Sequence, residues 1–591
     1  MTSFRIERAR FTDAEIRAWA VSAGRFGNWP VVYTLTGDDR VYVGESLNVA
    51  NRMKQHRESG AKTGVREMRV VIDESFNKSV CLDLESHLIR WFAGDGKLRV
   101  LNRNSGIIDA DYYDRVAYRQ TFDEVFEELR AANLFSRSIP EIENSDLFKL
   151  SPFKTLTEDQ AVAVEDIVSG LMEDLASDGV VGTATIVVEG SAGTGKTVVG
   201  IYLLKLLRDI AESVGGDEPD QDSMFAEFFV EGYRELLRGV RMAIVIPQQS
   251  LRRSVRNVFK KTPGLRGVEV LSPAQLGKKE VAYDLVVVDE AHRLNQRANQ
   301  PSAAQNADFT KVNLALFGDD DLSHTQLDWV IARSKHRILL MDEHQSVRPA
   351  DLPSSRVRAT IGAAKDARRY YPLTSQMRVG GGEGYLEHVR ALLSGDAPAE
   401  SRAFPNYDFR FFEDVREMHG EIRAKDTEVG LARLVAGFAW EWKTKSDKSA
   451  YDIELDGERL RWNQTDKDWI NSPGAVDEVG SIHTVQGYDL NYAGVIIGPD
   501  LRYDVARDQI VFDRARYRDT KGMENNRRLG IVYTDDDLLR YVRNVYSVLL
   551  TRGMRGTFVY VCDPGLRRYL RDRIVGPMGP DRNVNSLPTL S

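Results

Sequence analysis

From residue 185 to residue 561 the chain repeats one pattern: a short apolar run, a polar or glycine-bearing turn, then a longer stretch of helical character. The apolar runs lie at 185–188, 243–246, 285–288, 338–341, 495–497, 531–533 and 558–561. Runs of this length between helices predict parallel strands buried on both faces, and their number fits two α/β layers in tandem. Upstream, Phe122, Val125, Phe126 and Leu129 recur at spacings of three and four and predict an amphipathic helix over 119–134. A polar, Pro-containing linker follows at 136–152. Acidic or mixed-charge segments at 215–223, 295–323 and 443–474 break the pattern and predict insertions or loops. The tail after 575 predicts a frayed end.

Composition narrows the class. A length of 591 residues allows about four domains at ~150 residues each. Hydrophobic residues at 42% and charged residues at 28% exclude a disordered or collagenous chain. Cys81 and Cys562 are too few for a disulfide framework and lack zinc spacing, so a reducing compartment is expected. Without a signal-like start or an apolar run approaching ~18 residues, the expectation is a soluble, cytoplasmic protein with no membrane partner. A net charge of -8 gives no global basic signature, so any nucleic-acid contact has to be local. Residues 1–110 hold 17 Lys/Arg against 14 Asp/Glu and the remainder 63 against 74, which predicts different tasks for the two ends.

Two motifs carry phosphate chemistry. The first runs from Thr185 through Gly190, Gly193, Gly195 and Lys196 to Thr197 and matches GxxxxGK[ST], a pattern expected by chance on the order of 0.02 times in such a chain. Its glycines let backbone N–H groups cradle phosphate oxygens, Lys196 can reach the β and γ phosphates of ATP, and Thr197 can ligate Mg2+. The second delivers Asp289 and Glu290 at the carboxyl end of a buried run, where ligands of open α/β sheets sit. Asp289 suits magnesium; Glu290 suits orienting or deprotonating the attacking water.

These motifs and their neighbours resemble superfamily 1 helicases over roughly 156–563. Leu156-Thr-Glu-Asp-Gln160 is similar to the adenine-reading motif. Ile338-Leu-Leu-Met-Asp342-Glu-His-Gln345 resembles the third motif, whose glutamine senses the γ phosphate. Leu373-Thr-Ser-Gln-Met-Arg378 resembles the fourth, which implies that Arg378 contacts phosphate. Ser481-Ile-His-Thr-Val-Gln486-Gly487-Tyr-Asp489 resembles the fifth, which adds Gly487 to the nucleotide site, and Val548-Leu-Leu-Thr-Arg552 the sixth, which implies an arginine finger at Arg552. The spelling Asp289-Glu-Ala-His292 is commoner in superfamily 2, but the order of the other motifs outweighs it. The wording of residues 549–563 is closer to Schlafen-like helicases and their bacterial relatives than to repair helicases. Arginines brought by a second lobe make hydrolysis conditional on closure. Gln248, Gln249, His483 and Gln486, with Arg-rich stretches at 356–378 and 514–528, are candidate nucleic-acid contacts.

A second constellation occupies 31–102: Tyr33, Tyr42-Val43-Gly44, Arg52, His56, Glu85 and Asn102. Arg52 and His56, four apart, share one helix face. The set resembles GIY-YIG endonucleases over roughly 28–106. The resemblance implies phosphodiester hydrolysis with Glu85 as the metal carboxylate, Arg52 as the cation, Tyr33 and Tyr42 as phenols of which one acts as base, His56 assisting proton transfer and Asn102 orienting the site. A single carboxylate suits magnesium, which keeps much of its water shell. Val31-Val32-Tyr33 lacks the first signature glycine; the chemistry rests on Tyr, Arg and Glu, so activity is expected to survive.

The expected architecture is α/β: a small α/β GIY-YIG nuclease domain at 1–110, a helical linker at 111–155, RecA-like parallel-sheet P-loop lobes at 156–350 and 351–575, and a disordered tail at 576–591. The expected function is an ATP-dependent translocase or helicase fused to a Mg-dependent endonuclease, acting on DNA rather than RNA, in bacterial defence against foreign DNA by analogy of architecture alone. Two alternatives stand beside it. One is a nucleic-acid-gated ATPase switch that regulates the nuclease without unwinding; the other is a repair helicase with a non-catalytic GIY-YIG binding module. A homo-oligomer or a defence-system partner is left open.

Overall fold

The protein is described from a computed structural model covering residues 4–21, 28–58, 64–102, 112–177, 184–213, 225–297, 303–465, 469–485 and 488–576. Five strands form the amino-terminal sheet: β1 (Arg5–Arg10), β2 (Val31–Gly37), β3 (Arg40–Ser46), β4 (Val65–Ile72) and β5 (Arg99–Val100), in the order β1-β4-β2-β3-β5. The β2–β3 hairpin turns over Asp38 and Asp39 and sets Tyr33 opposite Gly44. Alternation along the strands then splits the core. Val32, Val41 and Val43 pack under α3 (Lys78–Asp95), whereas Val31, Tyr33 and Leu35 face α1 (Asp13–Val21) and α2 (Val49–Glu58). Asn77 caps α3 by accepting from the Val80 N–H, and Gly96 ends it at φ 67°.

The predicted amphipathic helix is α4 (Arg115–Ala131), and its four apolar residues join the core under α3. The expected linker at 136–152 instead folds into α5 (Ile139–Glu143) and α6 (Asp146–Lys149). Both are tied to the carboxyl end of α3: the Asp95 carboxylate accepts from Ser136 and Arg137 N–H, and a Cβ on Gly94 would lie 2.8 Å from Ile142.

The first lobe holds β6 (Thr185–Gly190), β7 (Met242–Val245), β8 (Glu269–Leu271), β9 (Tyr283–Val288), β10 (Ser334–Met341) and β11 (Tyr370–Leu373), all parallel, in the order β11-β6-β10-β9-β7-β8. α7 (Glu158–Ala176) precedes β6, α8 (Lys196–Glu212) and α9 (Glu231–Leu237) lie between β6 and β7, and α10 (Gln249–Lys261) follows β7. The lobe change expected at 350/351 falls inside this sheet, because β11 pairs with β6. The second lobe holds β12 (Asp408–Phe411), β13 (Ala432–Ala436), β14 (Ile453–Leu455), β15 (Glu458–Trp462), β16 (Glu478–Ser481), β17 (Leu490–Ile497) and β20 (Gly553–Val561), beside the hairpin of β18 (Leu501–Asp504) and β19 (Gln509–Phe512). Its order is β12-β20-β17-β13-β16-β15-β14, parallel except for β14.

One strand expectation fails for a physical reason, and two segments expected as insertions or loops carry regular structure. Residues 531–533 form no strand: Ile531 makes one bridge to Asn526, and Val532 is 70% exposed with no sheet to cover it. Residues 443–474 are not a plain loop, because β14 and β15 extend the central sheet, and 303–317 is a helix. Residues 215–223 and the tail from 577 lie outside the described residues.

Asp500, beyond β17, is fully buried; one carboxylate oxygen accepts from the Tyr546 hydroxyl (2.7 Å) and the other has no hydrogen-bond partner. Burial raises it to about 6 despite that bond. A raised acid costs the fold nothing below its unfolded value and destabilises increasingly as pH climbs toward 6. Asp500→Asn should therefore stabilise by on the order of 2 kcal/mol above pH 6 and show no gain near pH 4. Thermal midpoints of both proteins across this range test the sign.

Candidate functional site

In the amino-terminal domain the sheet brings four predicted residues into one patch. The Tyr33 hydroxyl lies 2.8 Å from His56 Nε2, and the Tyr42 and His56 rings meet edge-on with centroids 5.1 Å apart. Arg52, one helical turn before His56, faces the same phenol and opposes the rise in its pKa. Tyr33 is fully buried; burial, then Tyr42, push its hydroxyl well above the ordinary range, with Glu85 adding to the effect. Tyr33 therefore stays protonated at neutral pH, and His56 is the neighbour of the right type to exchange its proton. Gly44 makes the packing feasible: a Cβ there would sit 2.4 Å from Tyr33 Cζ and Oη. At the missing signature glycine, Val31 is simply buried core.

Glu85 is half-buried on α3 and joins the patch electrostatically. Cys81, one turn earlier, is pushed up by burial, then by Glu45 and Glu85. A second carboxylate, Glu45 of β3, thus shares this side of the domain, which the motif alone did not reveal. Among the described residues no group of three or more metal-ligating side chains forms. One or two carboxylates with a largely hydrated ion fit magnesium better than zinc. Asn102 is a clamp: its amide accepts from Val43 N–H (3.0 Å) and donates to Val43 C=O (2.8 Å), holding the strand that carries Tyr42.

The second site is assembled at the carboxyl edge of β6, β9 and β10. Gly193 and Gly195, at φ 91° and 79°, turn the loop between β6 and α8. Lys196 Nζ donates to the carbonyls of Gly190 (2.6 Å) and Ser191 (3.0 Å) and stands 4.0 Å from Asp342. Asp289 is completely buried; one oxygen accepts from Glu290 N–H (3.0 Å), and the other has no hydrogen-bond partner although the Thr197 hydroxyl lies close enough to lower its pKa. That orphan oxygen beside a hydroxyl is the donor pair a magnesium ion takes. Burial and Glu290 raise Asp289 to about 7. Glu290, at φ 52°, is held well below the usual range: burial alone would raise it, and His292 outweighs that. The Asp342 N–H donates to His292 Nδ1 (3.2 Å), so the imidazole proton sits on Nε2, 3.1 Å from Glu290. Gln345 donates to Asp342 (2.5 Å), which ties the third motif to this network.

Gln160 is placed differently from expectation. It is fully buried, accepts from Thr157 N–H and donates to the Thr194 carbonyl (2.8 Å), so its amide braces the phosphate loop and offers no edge to a base. Gln376 braces the same loop through Ala192 C=O (2.7 Å).

Both lobes and the connector contribute cations. Arg378 pairs with Asp489. Arg552 is 2% exposed, donates to the Tyr488 carbonyl (3.3 Å), and keeps Nε without a partner. Burial and then Arg378 lower it to about 9, with Asp489 and Glu290 opposing, so it remains charged at neutral pH and lies in the field of Glu290. Buried Arg293, three residues after Glu290, leaves Nε and Nη1 unpaired beside it and escaped notice in the sequence. So did two connector lysines. Lys149 Nζ donates to the Asp489 carbonyl (3.0 Å), and burial lowers Lys154 to about 8 even with Asp489 opposing. Burial alone would raise Asp489; Arg378, Lys149, Arg552 and Lys154 outweigh it and hold the carboxylate ionised. No local signal links residue 149 to residue 489.

Gln248 and Gln249 stand at the start of α10, on the sheet edge that carries the phosphate loop. Gln486, Gly487 and the His483 side chain lie outside the described residues. No helix among the described residues is long and apolar enough to cross a membrane.

Two family models match the chain. Residues 183–563 match the family model of the Schlafen group 3, DNA/RNA helicase domain, and 31–97 match the GIY-YIG catalytic domain. An uncharacterized protein of Saccharomyces cerevisiae is 28% identical over 421 residues, 66% of this chain and 84% of the relative. Among solved structures, an arterivirus nonstructural protein 10 helicase with DNA aligns at 11% identity and TM-score 0.25, over 66% of this chain and 62% of that one. Mss116p bound to ssRNA and AMP-PNP aligns at 11% identity and TM-score 0.29, over 71% and 74%.

Gly44→Ala should displace the Tyr33 ring from His56 and destabilise the domain by about 1–3 kcal/mol. Its metal-dependent phosphodiesterase activity should fall by more than tenfold, while ATP turnover by the distant second site is unchanged; thermal unfolding and parallel activity assays check both.

Proposed function

The chain belongs to the Schlafen group 3 DNA/RNA helicase family and carries a GIY-YIG catalytic domain, and from this we propose an ATP-driven nucleic-acid motor coupled to a magnesium-dependent endonuclease. The observation that carries the reading is the meeting of the lobes: Arg552, 2% exposed, lies in the field of Glu290 at the edge that bears the phosphate loop. Lys196 neutralises the β and γ phosphates, and Thr197 and Asp289 hold the metal. Magnesium supplies charge neutralisation on the phosphate oxygens there. Glu290, ionised and aligned by His292, orients the attacking water. Arg378 and Arg552 stabilise the charge that develops on the transferred phosphoryl group, so turnover depends on lobe closure.

In the nuclease, Arg52 faces the scissile phosphate, Glu85 holds the metal, and Tyr33 and His56 relay the proton. DNA is the substrate we assign, with defence against foreign DNA as the role, on the analogy of a motor fused to a nuclease. The contact of Lys149 with Asp489 favours allosteric coupling in addition to simple tethering, because the segment clasping the nuclease helix enters the cleft of the motor.

Lys196→Ala should abolish nucleic-acid-stimulated ATPase while cleavage of short single strands persists. Glu85→Ala should do the reverse, removing nicking in magnesium and leaving ATPase intact. ATPase and cleavage assays on blunt, forked and single-stranded substrates test both; wild-type behaviour from either variant sinks the corresponding assignment.

Coupling has a separate test. Arg552→Ala should lower ATPase on the order of a thousandfold, and Lys149→Met should leave ATPase within tenfold yet erase the ATP dependence of cutting. With saturating ATP and Glu85→Ala as background, a defect growing with substrate length indicates translocation, and one present on short oligonucleotides a switch. If both variants cut every length as the wild type does, the two halves are tethered and uncoupled.

A further inference from the structure

α10 buries Leu251, Val255, Val258 and Phe259 against the first lobe and turns Arg253, Arg256 and Lys260 outward, at spacings of three and four that align them along one face. Lys261 ends the helix and donates to the Gly96 carbonyl of the nuclease domain (3.3 Å). There a cavity of about 180 Å³ opens between the domains, lined by Lys97 and Arg99 on one side and by Lys261 and Arg266 on the other. Arg266 also borders a neighbouring groove with Arg256 and Lys260, so helix face and seam form one continuous strip.

These seven cations differ from most others in the protein. Among the described residues none of them has a carboxylate within 4 Å. The bonds that fix them go to neutral groups: Lys97 to the Asn133 carbonyl (2.6 Å) and side-chain oxygen (2.7 Å), Arg256 to the Val270 carbonyl (2.8 Å), Arg266 to the Lys260 carbonyl (3.1 Å). Such bonds hold the side chains without neutralising them. The one acid lining the seam, Asp39, is paired with Arg40, and Asp209 near Gly264 is paired with Lys205. Arg99 is partly offset by Asp39, and the other six cations, crowded onto one surface without an ion pair, repel each other in a chain whose net charge is -8. An anion with regularly spaced charges relieves that repulsion.

We propose that this strip is a second contact for the nucleic-acid backbone, leading it from the motor along the outside of α10 to the nuclease domain. The inference rests on the nucleic-acid reading above and extends it to a path. α10 begins at the sheet edge bearing the phosphate loop and ends at the seam; its 13 residues span about 20 Å, roughly six phosphate steps of duplex. The same charges recognise single- or double-stranded backbone without reading bases.

The test is the full-length Arg253→Gln/Lys260→Gln/Arg266→Gln protein, with Arg253→Lys/Lys260→Arg/Arg266→Lys as the charge-preserving control. Affinity for a labelled 30-base-pair duplex and for its single strand is titrated against salt without ATP. Loss of three phosphate contacts should flatten the log-log slope by about 2.7 on duplex and about 2 on single strand; the arm that changes identifies the form carried. The control should keep the wild-type slope, and thermal midpoints should match throughout. An unchanged slope on both substrates overturns the proposal and leaves the strip to an acidic protein partner; a flattened slope in the control overturns it as well, since charge would not be the cause. Absence of nucleic-acid-stimulated ATPase in the wild type would instead defeat the motor reading and leave the slopes to judge the strip.

Discussion

A carboxylate set in a cleft among cations governs how the parts of this protein are arranged. Asp489 precedes β17 of the second lobe and is still 24% exposed at its side chain, yet it gathers Arg378, Lys149, Arg552 and Lys154 about it. Together they bring in three pieces of the chain. Arg378 follows the last strand of the first lobe, Arg552 precedes β20 of the second, and the two lysines belong to the connector from the nuclease. Four cations crowded together would repel strongly without the anion, and the anion would be costly to bury without them. The arrangement holds only when lobe, lobe and connector are all in place, which makes it a point of assembly as well as a site of chemistry.

The same balance recurs at the nucleotide edge, where burial acts on two adjacent acids in opposite senses. Asp289 is raised by burial and its neighbour, while Glu290 is held ionised by His292, whose orientation comes from the backbone of Asp342. These opposite directions fit the roles proposed above, a cation at Asp289 and a water at Glu290. Separating the roles of adjacent carboxylates through their surroundings is a recurrent device of hydrolytic sites. Here it depends on a histidine and a strand-end amide that belong to different motifs.

What was legible in the sequence follows from range. The phosphate loop, Asp289–Glu290 and the Tyr33–Glu85 constellation were readable because each places its chemistry within a strand, a turn and a helix. Strands buried on both faces announced themselves as apolar runs, as at 185–188 and 285–288. Edge strands such as β12 and β14, half-exposed and mixed in charge, gave no such signal, and 531–533 gave a false one because an apolar run needs a neighbouring strand to pair with. Gln160 shows the same limit of range: its motif marks position, whereas the Thr157 and Thr194 contacts that engage its amide form only in the fold. Lys149 and Asp489, 340 positions apart, were invisible together, as were Glu45 and Glu85, which stand on different elements of one small domain.

The connector therefore bears on mechanism through its stiffness. A flexible tether of this length would raise the nuclease's local concentration near bound nucleic acid and leave its orientation free. Here the chain is folded into short helices, packed so closely against α3 that Gly94 has no room for a methyl group, and anchored at its far end on Asp489. Glu85 lies nine residues before Gly94 on the same helix, about 14 Å at 1.5 Å per residue. A rotation of about 10° at the clasp would move the carboxylate by roughly 2 Å, whereas misplacement by about 1 Å is enough to cost an enzyme on the order of a hundredfold in rate. Motion far smaller than full lobe opening thus suffices to bring the nuclease into or out of alignment. Under the coupling proposed above, the clasp is the segment that would carry a change in the surroundings of Asp489 to the position of Glu85.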